Sequence, residues 1–409
     1  MSIISEPQTS FCADGEMFSN RAAKTVYWLG RYAVEPANWG VSLCARWTQR
    51  SWAPNTHGRL PSIQAERFRR VCWFVEGVAC CAIGLIPLLV GGPCMMAGRL
   101  ANKNFTYIQP NKEPNYLEGR IVRIATFNLG FLPEFVTVFN QLRPVSDRAD
   151  QFIDYVNNRQ NDDWICVQEL FNELFHKESI KKIVEQCKQK YPYIIFDTCP
   201  RTLGMDSGLA IFSKYPLKEP TFWKFKDTFE EDALSNKGIL GVKIQVKPDR
   251  QVVVFTTHFQ SGYSEKAQNH RAACLVAFRE LYQTYGKGAQ DIITQGDFNL
   301  TKWENRELTE EWKAQVDFFE RLNKASLLPK DASTCWDKQS PYTMWDADKL
   351  DQWKTQTNQI DQILAYQTEK PPLLLSLEAD REWGICSDHL ALRATMELQE
   401  PLPVPVIPK

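Results

Sequence analysis

The sequence predicts an α/β fold for the part of the chain between about residues 118 and 398. Short β-rich runs alternate there with segments that carry apolar residues at helical spacing. Several runs are apolar on both faces, which is typical of strands in the middle of a layered fold. The run Gly77–Gly98, which precedes this part, contains no charged residue. We therefore expect a layered α/β domain that follows an N-terminal membrane-associating helical segment.

Length and composition set broad limits on the function. A chain of 409 residues exceeds what one hydrophobic core usually organises, so a large domain with an appendage is expected. The net charge of −1 lacks the basic excess that is usual in nucleic-acid binders, although a local basic face would not show in the total. The 12 cysteines form no CxxC pair, and buried reduced thiols favour a reducing compartment for the domain.

The N-terminal part divides into two predicted regions. Residues 1–70 form an aromatic and basic region, in which Trp and Tyr mixed with Arg suit a membrane interface or an ordinary subdomain. Residues 71–100 form a hydrophobic membrane-associating segment, long enough to cross a bilayer. Pro87 and Pro93 would break a single helix, so a hairpin that dips into one leaflet fits equally, and a buried core hairpin remains the alternative.

The predicted domain of residues 118–398 contains the following strands and helices. Strands are expected at Ile121–Phe127, Trp164–Val167, Leu209–Phe212, Gly238–Val246, Val252–Thr257, Asp291–Thr294, Gln362–Tyr366 and Leu390–Met396. Helices are expected at Ser146–Arg159, Lys177–Lys190 and Lys266–Tyr285. Residues 102–118 are predicted as a polar stretch, and residues 399–409 as an extended Pro-rich tail.

Polar residues of catalytic types border many of these strands within one or two positions. Any one of them alone is explained by a turn-forming or satisfied polar side chain. Their repetition at strand ends instead predicts convergence at one edge of the fold. They are Asn128, Glu169, His258, Asp297, Asn299, Asp361, Asp388 and His389.

These residue types suit hydrolysis of a phosphate ester. A hard cation such as Mg²⁺, with Mn²⁺ as an alternative, prefers the carboxylate and amide oxygens that Glu169 and Asn128 provide. A water nucleophile needs a base with a pKa near neutrality, for which His389 is the candidate. A carboxylate on the other ring nitrogen would fix its tautomer, and Asp361 suits that role.

The remaining polar candidates would act on the charge of the phosphate. His258, if protonated, would neutralise phosphate oxygens or reach the leaving group, and Asp297 with Asn299 would orient water or polarise the developing charge. Lys237 is a candidate contact for a phosphodiester anion, against the alternative of a solvated turn lysine.

Seven motifs occur in one order along the domain: TFNL (126–129), VQEL (167–170), SGLAIFSKYP (207–216), TTHFQ (256–260), GDFN (296–299), IDQIL (360–364) and SDHLAL (387–392). On these motifs the chain resembles the endonuclease/exonuclease/phosphatase superfamily. The resemblance implies a four-layered sandwich of two mixed β-sheets flanked by helices, with the active site at one edge. It also implies that Asn128 and Glu169 bind metal, that Asp361 and His389 form the activating pair, and that Asp388 assists the metal or the histidine.

Local sequence narrows the resemblance to neutral sphingomyelinases, which are phospholipases of the C type. The stretches concerned are DALSNKGILGVKI (232–244), TTHFQSGYSEKAQNHR (256–271) and TCWDKQSPYTMWD (334–346), in which Cys335 interrupts the family's pattern. The resemblance implies a phospholipid substrate in a membrane, with sphingomyelin cleaved to ceramide and phosphocholine. Trp336, Trp345 and Trp353 would form an interfacial rim, or else pack as ordinary aromatics.

Three other functions compete with this interpretation. A nuclease would use the same residues in a basic groove, but the lysines of the domain alternate with acidic residues. An inositol polyphosphate phosphatase would need a basic cluster that the sequence does not show. A scaffold protein on a decayed enzyme fold would be expected to lack some ligands, yet every candidate is present. No obligate protein partner is evident, and nucleic acid is a partner only under the nuclease alternative.

Overall fold

The computed structural model describes residues 3–12, 21–52, 71–72, 75–79, 82, 89–95, 97–98, 105–111, 113–132, 145–159, 161–171, 177–199, 205–262, 264–300, 361–365, 372–380, 387 and 389–400. Within these ranges, thirteen strands form two sheets of eight and five strands. Both sheets contain parallel and antiparallel pairs, so each is mixed.

The larger sheet has the strand order β1-β2-β5-β6-β4-β3-β13-β12. Its strands are β1 (Phe11–Cys12), β2 (Phe105–Ile108), β3 (Ile121–Phe131), β4 (Trp164–Leu170), β5 (Tyr193–Phe196), β6 (Ala210–Ser213), β12 (Leu373–Asp380) and β13 (Ala391–Glu397). Strands β3 and β4 are parallel neighbours in its middle, so their carboxyl ends reach the same edge of the sheet.

The smaller sheet has the strand order β11-β10-β9-β8-β7. Its strands are β7 (Leu217–Lys224), β8 (Gly238–Lys247), β9 (Arg250–His258), β10 (Asp291–Asp297) and β11 (Asp361–Ala365). The pair β9–β10 is parallel, and β11 runs antiparallel to β10. The carboxyl ends of β9 and β10 therefore meet the first residue of β11.

Helices cover the outer faces of both sheets in the described part of the chain. Helices α2 (Val145–Asp154, continued by a π-helical turn at Tyr155–Arg159) and α3 (Lys177–Cys187) pack on the larger sheet, and α4 (Glu265–Thr284) packs on the smaller one. The hydroxyl of Ser264 caps α4 by accepting the N–H of Ala267 at 3.2 Å. A third core of buried aliphatic and aromatic residues lies between the two sheets. The expected four-layered sandwich is therefore confirmed.

The predicted strands and helices are found within a few residues of their expected bounds. Five strands were missed, namely β1, β2, β5, β7 and β12, and β2 lies within the stretch that was expected to be polar. Ile4 and Gln8 also pair with Phe225 and Phe222 beside β7. The extreme N-terminal residues thus join the sheets of the predicted phosphodiesterase domain.

The N-terminal helices form a separate small cluster. Helix α1 (Arg21–Trp52) packs against residues 91–95 and Gly98, and a Cβ added to Gly30 would lie 2.4 Å from the Gly91 carbonyl oxygen. Tyr27 and Met95 are buried at this contact. Among the described residues, no helix combines the length and the apolar character needed to cross a bilayer.

Candidate active site

Three of the predicted site residues form one row across the smaller sheet. Asp297 on β10 is the register partner of His258 on β9 and of Asp361 on β11. Because neighbouring strands lie roughly 4.8 Å apart, this register alone brings the three side chains together. The two Asp residues are fully buried, and His258 is 4% exposed.

The row requires a glycine immediately before Asp297. Gly296 has φ 149°, and a Cβ at this position would lie 2.2 Å from the Thr257 carbonyl oxygen on the neighbouring strand. No side chain fits in that space, so β9 and β10 keep their close approach beside the row only with glycine.

The larger sheet contributes Asn128 and Glu169 from the ends of β3 and β4. Glu169 has φ 55°, a left-handed conformation that costs a non-glycine residue about 1–3 kcal/mol. Leu170 donates its N–H to Gly208 at 2.9 Å, and a Cβ on Gly208 would lie 3.0 Å from the Glu169 Cα. This turn directs Glu169 out of the strand and toward the row.

A buried amide joins the two sheets behind these residues. The Gln168 Nε2 group donates to Thr126 Oγ1 at 3.1 Å and to Thr256 Oγ1 at 3.0 Å. Thr256 belongs to β9 of the smaller sheet, two residues before His258. The position of Glu169 relative to His258 is therefore fixed by a hydrogen bond as well as by packing.

The Asp297 carboxylate is the centre of the site. Its Oδ2 atom accepts Asn128 Nδ2 at 3.0 Å, lies 3.5 Å from His258 Nε2 and lies 3.9 Å from His389 Nε2. Asn128 Nδ2 also donates to Glu169 Oε1 at 2.8 Å. One carboxylate thus contacts groups from both sheets.

His389 and Asp361 form the pair that the sequence analysis predicted. The Nδ1 atom of His389 lies 2.8 Å from Asp361 Oδ2, which leaves Nε2 directed toward Asp297. Ser387 links His389 to the end of β3, because its hydroxyl donates to the Asn128 carbonyl at 2.6 Å and accepts the His389 N–H at 3.1 Å. Sequence reasoning missed Ser387, although it stands in the SDHLAL motif.

His258 contacts the ammonium group of Lys237. Lys237 Nζ lies 3.0 Å from His258 Nε2, so a charged lysine makes Nε2 the acceptor and leaves the ring proton on Nδ1. Burial, together with the charge of Lys237, lowers the pKa of His258 from 6.5 to about 3, although Asp297 opposes the change. This environment therefore favours the neutral imidazole of His258.

Lys237 is buried, unlike the solvated turn lysine that was the alternative. It is 2% exposed, pairs with Asp232 Oδ1 at 2.7 Å and donates to the Phe259 carbonyl at 2.7 Å. Asp232 lies in the 3₁₀ turn Glu230–Leu234 and also accepts the Ser261 N–H at 2.6 Å. Sequence reasoning missed Asp232, because its contact with Lys237 depends on how this turn folds.

Asn299 lies at the rim of the same cluster. It has φ 49°, its N–H donates to Asp297 Oδ1 at 2.9 Å, and its Nδ2 group donates to the Phe259 carbonyl at 3.1 Å. Asp388, the tryptophans of the proposed rim and the stretch 334–346 lie outside the described residues.

The arrangement offers two groups of ligand atoms for a divalent cation. The ligand atoms of Glu169, His258 and Asp297 lie within 4.8 Å of one another, and so do those of Asp297, Asp361 and His389. Carboxylate oxygens suit Mg²⁺ and Mn²⁺, so the donor set fits the expected ion. Asn128 turns its nitrogen toward the carboxylates while its Oδ1 accepts the Gly130 N–H at 3.0 Å, so binding metal through oxygen would require its amide to turn.

Comparison with known proteins agrees with the motifs. No protein-family model matches the chain. The chain is 29% identical over 135 residues to a sphingomyelinase of Dictyostelium discoideum, a match that covers 30% of this chain and 29% of that protein. It is 30% identical over 189 residues to a phospholipase C of Staphylococcus aureus, covering 42% of this chain and 54% of that protein. The chain resembles sphingomyelinases. The chain spans about half the length of these curated relatives or less. The resemblance to neutral sphingomyelinases that the motifs predicted is confirmed.

Sphingomyelinase C from Streptomyces griseocarneus is among the solved structures that match this chain. The two share 18% sequence identity and a TM-score of 0.48, and the alignment covers 67% of this chain and 99% of the Streptomyces griseocarneus chain.

Proposed function

We propose that the chain is a Mg²⁺-dependent phosphodiesterase that hydrolyses sphingomyelin to ceramide and phosphocholine. The observation that carries the proposal is the shared Asp297 carboxylate, which contacts the Glu169 and His258 group on one side and the Asp361 and His389 pair on the other. A site with this arrangement can bring a bound cation and a general base close to the same phosphate.

His389 is the proposed general base. Its Nε2 atom takes a proton from the attacking water while Asp361 holds Nδ1 and stabilises the imidazolium that forms. The water oxygen bonds to phosphorus and the bond from phosphorus to the ceramide oxygen breaks. The leaving oxygen then takes a proton from solvent, and His389 returns its proton to solvent.

Positive charge beside the phosphate comes from Lys237 in this proposal. His258 stays neutral, and the Lys237 ammonium 3.0 Å from it carries the charge that the sequence analysis had considered for a protonated histidine. A Mg²⁺ ion held by Glu169, with Asp297 and Asn128 close by, would supply Lewis-acid stabilisation of the charge that develops on the phosphate.

The lipid substrate is supported by two observations. The curated relatives carry the names sphingomyelinase and phospholipase C. In addition, Ser235, Asn236 and Lys237 are buried next to the site, as a family-like Ser-Asn-Lys-Gly run should be if it shapes the binding region. The site geometry alone also suits nucleic acid or inositol polyphosphates, which become outcomes of the test.

Membrane association is proposed from the N-terminal helices. They expose several large apolar side chains, which water alone does not favour: Leu29 is 64% exposed, Tyr32 71%, Leu89 74% and Val90 64%. The proposed organisation is an aromatic and basic region (1–70), a membrane-associating segment (71–100), the phosphodiesterase domain (118–398) and a Pro-rich tail (399–409). The buried free thiols of Cys166, Cys187 and Cys274 accord with a reducing compartment.

The test is a substrate panel with the purified full chain in Mg²⁺. The panel contains sphingomyelin vesicles, duplex DNA and inositol polyphosphates. The proposal expects phosphocholine release that Glu169→Gln and His389→Ala abolish and that Leu373→Ser, an exposed change on β12, leaves intact. Cleavage of DNA or release of inorganic phosphate with intact vesicles would overturn it.

A further inference from the structure

Residues 3–8 pair with the edge of the smaller sheet at β7 through isolated β-bridges and backbone hydrogen bonds. Ser5 donates its N–H to the Lys224 carbonyl at 2.8 Å, and the Lys226 N–H donates to the Ile3 carbonyl at 2.8 Å. Gln8 and Phe222 exchange two backbone hydrogen bonds, each of 2.9 Å. Residues 3–8 therefore cover the open edge of the smaller sheet.

The same segment continues into the larger sheet. Phe11 and Cys12 pair in parallel with Phe105 and Thr106 of β2. Ten consecutive residues, 3–12, thus link the outer edges of both sheets. We call residues 3–12 the N-terminal clasp.

Ile4 is the apolar anchor of the N-terminal clasp. It is 9% exposed and belongs to the core cluster that contains Phe225, Phe259 and Phe298. It is the bridge partner of Phe225, whose ring centroid lies 5.6 Å from that of Phe259. The Phe259 ring in turn lies 4.9 Å from that of Phe298. Ile4 is therefore packed against a row of rings that leads under the active site.

The backbones of these phenylalanines bind the site residues directly. The Phe225 N–H donates to the Lys237 carbonyl at 2.9 Å. The Phe259 carbonyl accepts both Lys237 Nζ at 2.7 Å and Asn299 Nδ2 at 3.1 Å. The Phe259 N–H donates to the Asp297 carbonyl at 2.9 Å. A shift of Phe259 would move Lys237, Asn299 and Asp297 together.

We propose that Ile4 of the N-terminal clasp is a positioning residue for the phosphodiesterase site, acting through Phe225 and Phe259 on Lys237 and Asn299. The N-terminal region then has two roles. The N-terminal clasp is part of the catalytic fold, whereas α1, which follows it in sequence, carries exposed apolar residues. The inference rests on the proposed function for its activity readout and is independent of it for its structural readout.

The test compares Ile4→Ala with Ile4→Val and with Glu6→Ala, a control on an exposed residue of the same segment. Hydrogen–deuterium exchange is followed in peptides that span residues 256–260 and 296–300, and in peptides of β3 and β4 as internal reference. The assay uses full-length protein at a temperature where near-UV circular dichroism shows each variant to be folded. Hydrolysis is measured on sphingomyelin vesicles and on the soluble diester bis(4-nitrophenyl) phosphate.

Ile4→Ala should raise exchange about tenfold in the two site peptides and leave β3 and β4 unchanged. It should lower kcat about tenfold on both substrates with little change in KM or in vesicle binding. Ile4→Val should restore most of both signals, and Glu6→Ala should match wild type. Unchanged exchange at residues 256–260 and 296–300 in Ile4→Ala would overturn the inference, as would a loss confined to vesicle binding. Absence of hydrolysis by wild type would instead refute the proposed function, with the exchange result still deciding the inference.

Discussion

Two regions of the molecule reverse the usual distribution of polar and apolar residues. At the catalytic edge, Asp297, Asp361 and Lys237 are buried within hydrogen-bonding networks. On the N-terminal helices, by contrast, Leu29 and Leu89 stand largely exposed. Buried charge costs free energy unless it is paired, and exposed large apolar groups mark contact surfaces. The catalytic edge thus keeps charged groups buried by pairing them with one another, whereas the N-terminal helices present an apolar surface; the proposed function assigns a phosphate to the first and a lipid surface to the second.

Neutralising a charged group at the catalytic edge should cause the largest loss of kcat. Glu169→Gln and Asp297→Asn should each lower kcat at least about 10³-fold, since each removes a cation ligand or a contact that orients the site. His389→Ala should lower kcat by about 10²–10⁴-fold, the usual contribution of a general base. Phosphocholine release measures the loss, and vesicle pelleting should show that lipid binding survives. Retained activity in Asp297→Asn would show that the shared carboxylate is not central.

Substitutions on the N-terminal helices should weaken vesicle binding and leave turnover intact. Leu29→Ser combined with Leu89→Ser should weaken vesicle binding at least tenfold, because burying one leucine in an apolar phase is worth about 1.5–3 kcal/mol. Turnover of a soluble diester should be unaffected. The matched control is Leu373→Ser, since Leu373 is 51% exposed on the larger sheet. Equal losses of binding in the control and the double variant would remove the distinction between the two regions.

The close approach of β9 and β10 should make the free energy of unfolding sensitive to a side chain at position 296. Gly296→Ala should lower the free energy of unfolding by about 1–3 kcal/mol, because the added Cβ would overlap the Thr257 carbonyl. Gly288→Ala is the control, with a positive φ of 78° but no atom within 4 Å of the added Cβ. Urea unfolding compares the two. A Gly296→Ala variant as stable as the control would mean that β9 and β10 can separate without cost.

The smallest expected effect concerns acid stability near the catalytic edge. Burial lowers the pKa of His270 below its ordinary 6.5, with the Lys226 carbonyl opposing the change. The unfolded chain therefore takes up a proton first as the pH falls below about 6.5, and stability decreases from there toward the lower folded-state pKa. His270→Asn should flatten this part of the stability profile in urea titrations between pH 5 and 7.5. A variant with the wild-type slope would show that His270 does not contribute.

Much of the catalytic edge could be predicted because strand ends are visible in sequence. His258 and Asp297 are the last residues of β9 and β10, and their register follows once these two strands pair in parallel. Strand β7 escaped prediction because Pro220 and charged residues interrupt it, and β12 because it alternates weakly and lies at a sheet edge. Strand β2 was missed because it is short and lies in a polar stretch of the sequence.

The supporting contacts could not be predicted, since they depend on the folded backbone. Phe259 binds Lys237 and Asn299 through its carbonyl group, which carries no sequence signal. Asp232 and Ile4 approach the site only after a turn and an edge strand have formed. The lowered pKa of His258 likewise follows from burial and from a lysine that lies 21 residues earlier in the sequence.

The reaction proposed for this site is water attack on the phosphorus of a sphingomyelin headgroup. Its most direct test is hydrolysis of sphingomyelin vesicles by the full chain with Mg²⁺ in ¹⁸O-labelled water, followed by mass spectrometry of both products. We expect a single ¹⁸O atom in phosphocholine and none in ceramide, and labelled product should form at least about 10²-fold more slowly with His389→Ala. Label in ceramide, or vesicles left intact by the wild-type chain, would contradict it.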